Sequence, residues 1–162
     1  MINPAREAVG TGATYVDAGV SLDAGDEAVR RILPMLRRTH TPGVIADIGG
    51  FGGLFELPAG YARPVLVSST DGVGTKLEVA RLADRWNTVG LDLVAMVVDD
   101  LVCSGAKPLF FLDYLAVGRL DPDRVEILMS GLVEGCETAG CALVGGEMAE
   151  HPGAMEPGEF DL

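Results

Sequence analysis

The feature that most constrains this chain is an apolar run that ends abruptly in an acid, two glycines, a hydroxyl and a lysine. Residues 65–70 read Val-Leu-Val-Ser-Ser-Thr, and residues 71–76 continue as Asp-Gly-Val-Gly-Thr-Lys. The valines predict a strand over 65–70, and open α/β sheets bind ligands beyond the carboxyl ends of their strands. Glycines let backbone N–H groups approach an anion, and an aspartate can hold Mg²⁺ beside a phosphate. We interpret the segment as a nucleotide-phosphate site that lacks the P-loop spacing.

Composition narrows the class of protein and its ligands. The chain has 162 residues, 48% of them apolar, which is enough for one domain with its own core. The net charge of −12 argues against nucleic acid and membrane surfaces as partners, because both would repel an acidic protein. The sequence shows neither a membrane-spanning apolar run nor a signal-peptide pattern. Cys103, Cys136 and Cys141 include no CxxC pair, so we expect buried free thiols and a cytoplasmic location.

The pattern of elements predicts an α/β or α+β domain behind an N-terminal arm. Residues 1–20 are rich in Gly, Ala and Thr and are expected to form a flexible arm, so the domain proper spans 21–162. Helical spacing of apolar residues and apolar runs between turn residues distinguish helices from strands. Helices are predicted from Asp23 or Asp26 to about 38, from 75 to 85, from 89 to 104 and from 121 to about 139. Strands are predicted over 65–70, 109–117 and 141–144, and another begins near 159.

The predicted sheet has one face without a covering layer. About four strands with helices on one face leave the other face apolar, with Val65, Val67, Phe111 and Tyr114 as candidates for it. A single sheet layer must bury such a face against another layer. Since closed two-fold dimers are the commonest oligomers, we expect a second copy of the chain to cover it.

Three clusters of residues carry the acids and glycines that could do chemistry. The first is residues 71–76, the second is Asp92 with Asp99 and Asp100 on a predicted helix, and the third is Gly145-Gly146-Glu147. Mg²⁺ takes hard oxygen ligands, usually one or two carboxylates together with phosphate and water. Asp99 and Asp100 lie about 100° apart around a helix, so they cannot both face one ion squarely. The spacing leaves open which of the three helix acids would face a metal.

Each cluster also has an ordinary structural explanation. Asp92 could serve the helix dipole, Glu147 could be a turn residue, and Lys76 could be a solvated helix residue. The glycine cluster at 49–53 could be only a tight bend, or it could lay backbone donors against phosphate. Acids such as Asp99 and Asp100 inside an apolar helix are harder to explain structurally, because unpaired buried acids are costly. His151 follows the third cluster, and its role stays open.

Taken together, these segments resemble the amino-terminal half of the phosphoribosylformylglycinamidine cyclo-ligase family, also called aminoimidazole ribonucleotide synthetase. Several motifs match in register over about residues 14–160, which is more specific than the residues 71–76 alone. The matching pieces are Tyr15 to Val20, Gly49 to Leu54, Asp71 to Leu77, Gly90 to Met96, Asp100-Leu101, Gly105 to Tyr114 and Leu143 to Glu147.

The resemblance implies an ATP-dependent ring closure in purine biosynthesis. Formylglycinamidine ribonucleotide would become aminoimidazole ribonucleotide after ATP activates the formyl amide oxygen, the amidine nitrogen attacks and phosphate leaves. The family implies a homodimer whose two sheets join into a barrel, and an arm at 15–20 that closes over the nucleotide. It implies Asp71, Asp100 and Glu147 as Mg²⁺ ligands, and Lys76 and Glu147 as catalytic residues. It implies nucleotide contacts from Gly49, Gly50, Phe51, Gly52, Gly53, Asp71, Gly72, Gly74, Thr75 and Lys76.

The chain departs from the family pattern at several points. Asp99 stands where the family usually has Asn, and Met148 and His151 stand where it usually has Thr and Met. Family members are also longer, so we interpret the chain as a truncated domain that is inactive alone. Selenophosphate synthetase and thiamine-phosphate kinase, of the same superfamily, are alternative readings. A dimerising module without catalysis is a third, since fold does not fix function.

Overall fold

The computed structural model of the chain describes residue 12, residues 14–50 and residues 52–162. In this part of the chain, four α-helices and three β-strands form an α+β domain, as the pattern of elements predicted. The helices are α1 (Leu22–Leu36), α2 (Lys76–Ala83), α3 (Asn87–Cys103) and α4 (Pro122–Ala139), with a 3-10 turn at Arg37–Thr39 after α1; the strands are β1 (Phe110–Val117), β2 (Ala142–Glu150) and β3 (Phe160–Asp161).

The helix boundaries follow from local capping residues. Ser21 caps the start of α1 through its side chain, so neither Asp23 nor Asp26 does. Asp121 caps α4, and Gly140 ends it in the left-handed conformation with a φ of 69°. Because these signals are local, the predicted helices agree with the structure to within a few residues.

The sheet is mixed and has the strand order β2-β1-β3. β1 and β2 run parallel and are joined through α4, while β3 pairs antiparallel with the end of β1. The parallel register shifts between Phe111 and Leu112, where β2 carries one extra residue. This bulge lies just before Gly145 and re-aims the second half of β2.

The core lies between α3, α4 and one face of the sheet. Gly131 of α4 meets α3 so closely that a Cβ there would overlap the carbonyl group of Asn87. Gly90 of α3 is equally close, since a Cβ on it would lie 2.6 Å from the main-chain oxygen of Leu128. These glycines let the two helices pack backbone to backbone. The largest fully buried side chains include Val94, Leu115, Leu128, Met129, Leu132 and Leu143.

The predicted strand at 65–70 is not a strand in the structure. Among the described residues, it makes no ladder or other main-chain hydrogen bond with another segment. Val65, Leu66 and Val67 are 84%, 66% and 44% exposed. A strand is stable only when a neighbouring strand satisfies its backbone groups, and the described part of the chain offers none. The sheet there consequently has three strands, fewer than the four expected.

The helices cover one face of the sheet and leave the other open. Along β1, Phe110, Leu112 and Tyr114 are 43–57% exposed, whereas Phe111 and Leu115 are 6% and 1% exposed. Tyr114 therefore lies on the open face, as predicted. The assignment of Phe111 to that face was wrong, because strand alternation places it with Leu115 against the helices.

The cysteines follow the prediction only in part. Cys136 and Cys141 are buried free thiols, but Cys103 is exposed. Cys103 lies in the last turn of α3, where none of the residues after Val97 is buried. Within the ranges that the structure describes, the helices fall short of the length and apolar character that a membrane span requires.

Candidate functional site

The loop that precedes α2 lies along one face of α3. Lys76 Nζ lies 3.0 Å from Asp92 Oδ2 and 3.5 Å from the sulfur of Met96. Ser69 Oγ donates a hydrogen bond of 2.9 Å to Asp100 Oδ2. Since Asp92, Met96 and Asp100 are spaced by four residues, they form one stripe on the helix. The structure thus brings the first and second predicted clusters together.

The three acids of α3 have different surroundings. Asp100 faces the loop through Ser69, and Asp92 faces it through Lys76. Among the described residues, Asp99 forms neither a side-chain hydrogen bond nor an ion pair. Asp92 lies beyond the first turn of α3, so Lys76, rather than the helix dipole, balances its charge.

The turn at 71–74 is anchored to the end of the chain through Val73, and most of its other residues are exposed to solvent. Val73 is buried, and its N–H donates to the main-chain oxygen of Leu162 just after β3 over 3.0 Å. The carboxylate of Asp71 accepts the N–H of Gly72 at 2.7 Å. Gly74 has a φ of 71°, which explains the glycine at this position. Asp71, Gly72, Thr75 and Lys76 are left exposed to solvent.

The glycine cluster at 49–53 lies at the tip of a hairpin-like segment. Val44 and Phe55 form an antiparallel bridge at its base, and Ile45 N donates to Leu54 O over 3.2 Å. Gly49, Gly50, Gly52 and Gly53 are exposed, while the predicted nucleotide contact Phe51 lies outside the described residues.

The base of this hairpin packs against the sheet close to the third cluster. Gly53 touches β2, since a Cβ on it would lie 2.5 Å from Val144 Cγ2. The rings of Phe55 and Phe110 lie 5.4 Å apart between centroids. Val144 immediately precedes Gly145-Gly146-Glu147, so the structure brings the glycine cluster to that turn.

Glu147 lies on β2, and the register places it opposite Tyr114 of β1 on the open face of the sheet. The hydroxyl of Tyr114 and Nε2 of His151 are 3.1 Å apart. His151 is held there by its own N–H, which donates to Val117 O over 2.8 Å. The Tyr114–His151 pair beside Glu147 was missed by sequence reasoning, because only the parallel register brings the residues together.

Asp113 lies on the other side of the same stretch of sheet. It is the register partner of Gly146, and a Cβ on Gly146 would overlap its carboxyl group. Burial raises the pKa of the Asp113 carboxyl to about 7. The sequence signal that could have found it is an acid that alternates with the apolar residues Phe111 and Leu115 in a predicted strand.

The described end of the arm is anchored beside the His151 turn. Thr14 Oγ1 donates to Asp17 over 2.7 Å and closes a small turn. The two carboxylate oxygens of Glu150 accept the N–H groups of Ser21 at 2.9 Å and of Leu120 at 2.7 Å. Residues 1–11 and 13 of the predicted arm lie outside the described residues, and closure of the arm over a nucleotide stays a prediction.

The predicted metal ligands do not form one group within the described residues. No three carboxylate, imidazole or thiol side chains gather there at metal-binding distances. Asp100 is tied to the loop that carries Asp71, whereas Glu147 lies on the sheet. Their assignment as Mg²⁺ ligands stays a prediction.

Several known proteins are similar in sequence to this chain. Residues 58–161 match the family described as AIR synthase related protein, N-terminal domain. The chain is 60% identical over 152 residues to the phosphoribosylformylglycinamidine cyclo-ligase of Geobacter sulfurreducens, covering 93% of this chain and 44% of that protein. It is 55% identical over 148 residues to the protein of the same name from Picosynechococcus sp., covering 91% of this chain and 43% of that protein. The chain spans less than half the length of these curated relatives.

Proposed function

This chain belongs to the AIR synthase related family, of which it carries the N-terminal domain, and we propose that it is the Mg²⁺- and ATP-binding half of a phosphoribosylformylglycinamidine cyclo-ligase. The observation that carries the proposal is the seating of the loop before α2 on the acidic stripe of α3. Lys76 is fixed at Asp92, and Ser69 is fixed at Asp100. The loop thereby joins a cation, two carboxylates and an exposed glycine-containing turn along one face of α3.

The donor set at this edge fits a magnesium-bound phosphate. Asp71 and Asp100 offer the hard oxygen ligands that Mg²⁺ prefers, and neither carboxylate has a basic partner among the described residues. Lys76, Thr75 and the N–H group of Gly74 would hold phosphate oxygens, and the N–H group of Gly72 would join them once it leaves the Asp71 carboxylate. The ion, when bound, neutralises negative charge on the phosphates.

We further propose that two copies of the chain join their open sheet faces into a barrel. Phe110, Leu112 and Tyr114 present an apolar surface there, and residues 65–67 are apolar and exposed and have no strand partner among the described residues. Glu147 lies on the same face, so the dimer would enclose it. This arrangement would give residues 65–70 the strand neighbour that the described part of a single chain does not supply.

The ring closure itself is proposed only for the longer protein. There, ATP would activate the formyl amide oxygen of formylglycinamidine ribonucleotide, and the amidine nitrogen would then attack with loss of phosphate. The proposed role of this chain in that reaction is to position the nucleotide phosphates and to balance their charge. Proteins accelerate phosphoryl transfer in this way. Dimerisation without nucleotide binding is the competing function, and the open sheet face alone would support it.

Isothermal titration calorimetry of this chain with Mg-ATP separates the two functions. We expect saturable binding that Asp100→Asn weakens by about tenfold or more, because a metal ligand is lost. The neighbouring Asp99→Asn is the matched control and should change the affinity less than about twofold. Absence of binding in the wild-type chain would leave only the dimerising module. Equal losses in both variants would show that the α3 acids act through net charge alone.

A further inference from the structure

Asp113 fills the space beside Gly146. A Cβ on Gly146 would lie 2.7 Å from both Cγ and the main-chain oxygen of Asp113, and closer still to its carboxyl oxygen. Real Cβ atoms do not approach other atoms so closely, so residue 146 must be glycine while Asp113 keeps this conformation. The carboxyl group therefore lies directly against the main chain of the Gly145-Gly146-Glu147 turn.

Stability alone does not explain an acid at this position. Asp113 is half-buried on the helix side of β1, between the buried side chains of Phe111 and Leu115. Among the described residues, its side chain has no ion pair and no hydrogen bond to another residue. Placing such a group there opposes folding, whereas an apolar residue at the same position would pack without that cost.

Three features act on the short stretch of β2 that ends at Glu147. The register shift inserts an extra residue before Gly145, Gly145 itself has a φ of 159°, and Asp113 packs on Gly146. Successive residues of a strand point to opposite faces. The main chain at Gly146 consequently decides how Glu147 projects from the open face next to Tyr114.

We propose that Asp113 is a positioning residue, whose carboxyl group packs over Gly146 and fixes the main chain that presents Glu147 on the open sheet face. Asp113 itself would touch neither metal nor nucleotide, since it lies on the helix side. The inference rests on the proposed function in that Glu147 takes the metal-binding role that the family resemblance implies for it, but the geometry that it predicts can be measured without any ligand.

The test compares Asp113→Ala with Asp113→Asn in the chain by NMR and calorimetry. Ala removes the packing group, whereas Asn keeps its size and shape. We expect Ala to shift or broaden the Glu147 amide signal and to weaken Mg-ATP binding by about tenfold, as loss of a supporting residue does. Asn should leave the Glu147 signal in place and the affinity within about twofold.

Gly146→Ala tests the same contact from the opposite side and serves if Asp113→Ala does not fold. It should displace the Glu147 amide signal as well, because its Cβ would overlap the carboxyl group. In the double variant with Asp113→Ala, the loss in free energy of unfolding should be smaller than the sum of the losses in the two single variants. The 2.7 Å approach of the new Cβ to the main-chain oxygen of Asp113 remains in the double variant. Gly25→Ala, with open space around its Cβ, is the control and should leave the signal unchanged.

The outcomes separate this inference from the proposed function. An unmoved Glu147 signal in both Asp113→Ala and Gly146→Ala would overturn the positioning role, whatever happens to thermal stability. A wild-type chain that does not bind Mg-ATP would overturn the proposed function, while the NMR comparison would still decide whether Asp113 positions Glu147. Full additivity of the two changes would also contradict the proposal.

Discussion

At the scale of single residues, the acids of this chain fall into two kinds. Asp71, Asp92 and Asp100 are partly or fully exposed and lie around one loop, where their charges are available to ligands or to Lys76. Asp113 is turned toward the core and has no basic partner in the described residues. The first kind costs little to keep charged, whereas the second shapes the main chain at the expense of stability.

The raised pKa of Asp113 predicts a pH dependence of stability. Burial raises the pKa to about 7, so between about pH 4 and pH 7 the folded chain holds a proton that the unfolded chain releases. The free energy of unfolding should therefore fall as pH rises through this window. Asp113→Asn should remove this part of the pH dependence. Measured by urea unfolding, the free energy of unfolding of the variant should rise relative to that of the wild type by roughly 1–2 kcal/mol between pH 5 and pH 8. Parallel pH profiles for the two proteins would contradict the burial argument.

Exposure predicts which thiol reacts. Cys103 is exposed, whereas Cys136 and Cys141 are 0% and 1% exposed. The pKa of Cys136 is raised by its hydrogen bond to Cys141 and by burial, which keeps that thiol protonated. A thiol reagent should modify Cys103 alone in the folded chain and all three cysteines in urea, as mass spectrometry would show. Rapid modification of Cys136 under native conditions would mean that α4 and β2 open readily.

At the scale of elements, local signals were sufficient for the helices and insufficient for the sheet. Asp121 begins α4 and Gly140 ends it through hydrogen bonds to residues nearby in the sequence, so the limits of α4 could be predicted from the sequence. The segment 65–70 has strand composition, but a strand also needs a partner that composition cannot show. The sequence predicts that a strand ends at Gly145-Gly146, whereas β2 continues past a bulge to Glu150.

The candidate site could be predicted only in part from the residues themselves. Spacing left open which acid of α3 faces the loop, and the resemblance implied that Lys76 and Asp100 serve one site; in the structure Lys76 pairs with Asp92 and Ser69 with Asp100. The contacts of Asp113 with Gly146 and of Tyr114 with His151 depend on the β1–β2 register, which is set by the packing of the whole sheet. No local pattern carries that information.

The close packing of α3 on α4 predicts a strong effect of one methyl group. Gly131→Ala would place its Cβ against the carbonyl group of Asn87 and should lower the free energy of unfolding by about 2–3 kcal/mol. Gly25→Ala in α1 meets nothing within 4 Å and should raise it by up to about 1 kcal/mol through helix propensity. Chemical denaturation of both variants measures the contrast, and equal effects would contradict the helix contact.

At the scale of the whole molecule, the open sheet face predicts the oligomeric state. Light scattering after gel filtration should give twice the monomer mass of 16.9 kDa. Leu66→Glu should shift the chain toward monomer, because the side chain is 66% exposed in one copy and proposed to be covered in two. Ile127→Glu, on the outer side of α4, is the control and should remain dimeric. A wild-type chain that stays monomeric at high concentration would contradict the proposed dimeric barrel.

A crystal structure of the chain with Mg²⁺ and a non-hydrolysable ATP analogue would show whether the loop before α2 and the acids of α3 bind magnesium together. We predict a magnesium ion at about 2.1 Å from carboxylate oxygens of both Asp71 and Asp100, with Lys76 Nζ against a phosphate oxygen. An ion bound elsewhere, with these two carboxylates turned away from the triphosphate, would contradict this magnesium site.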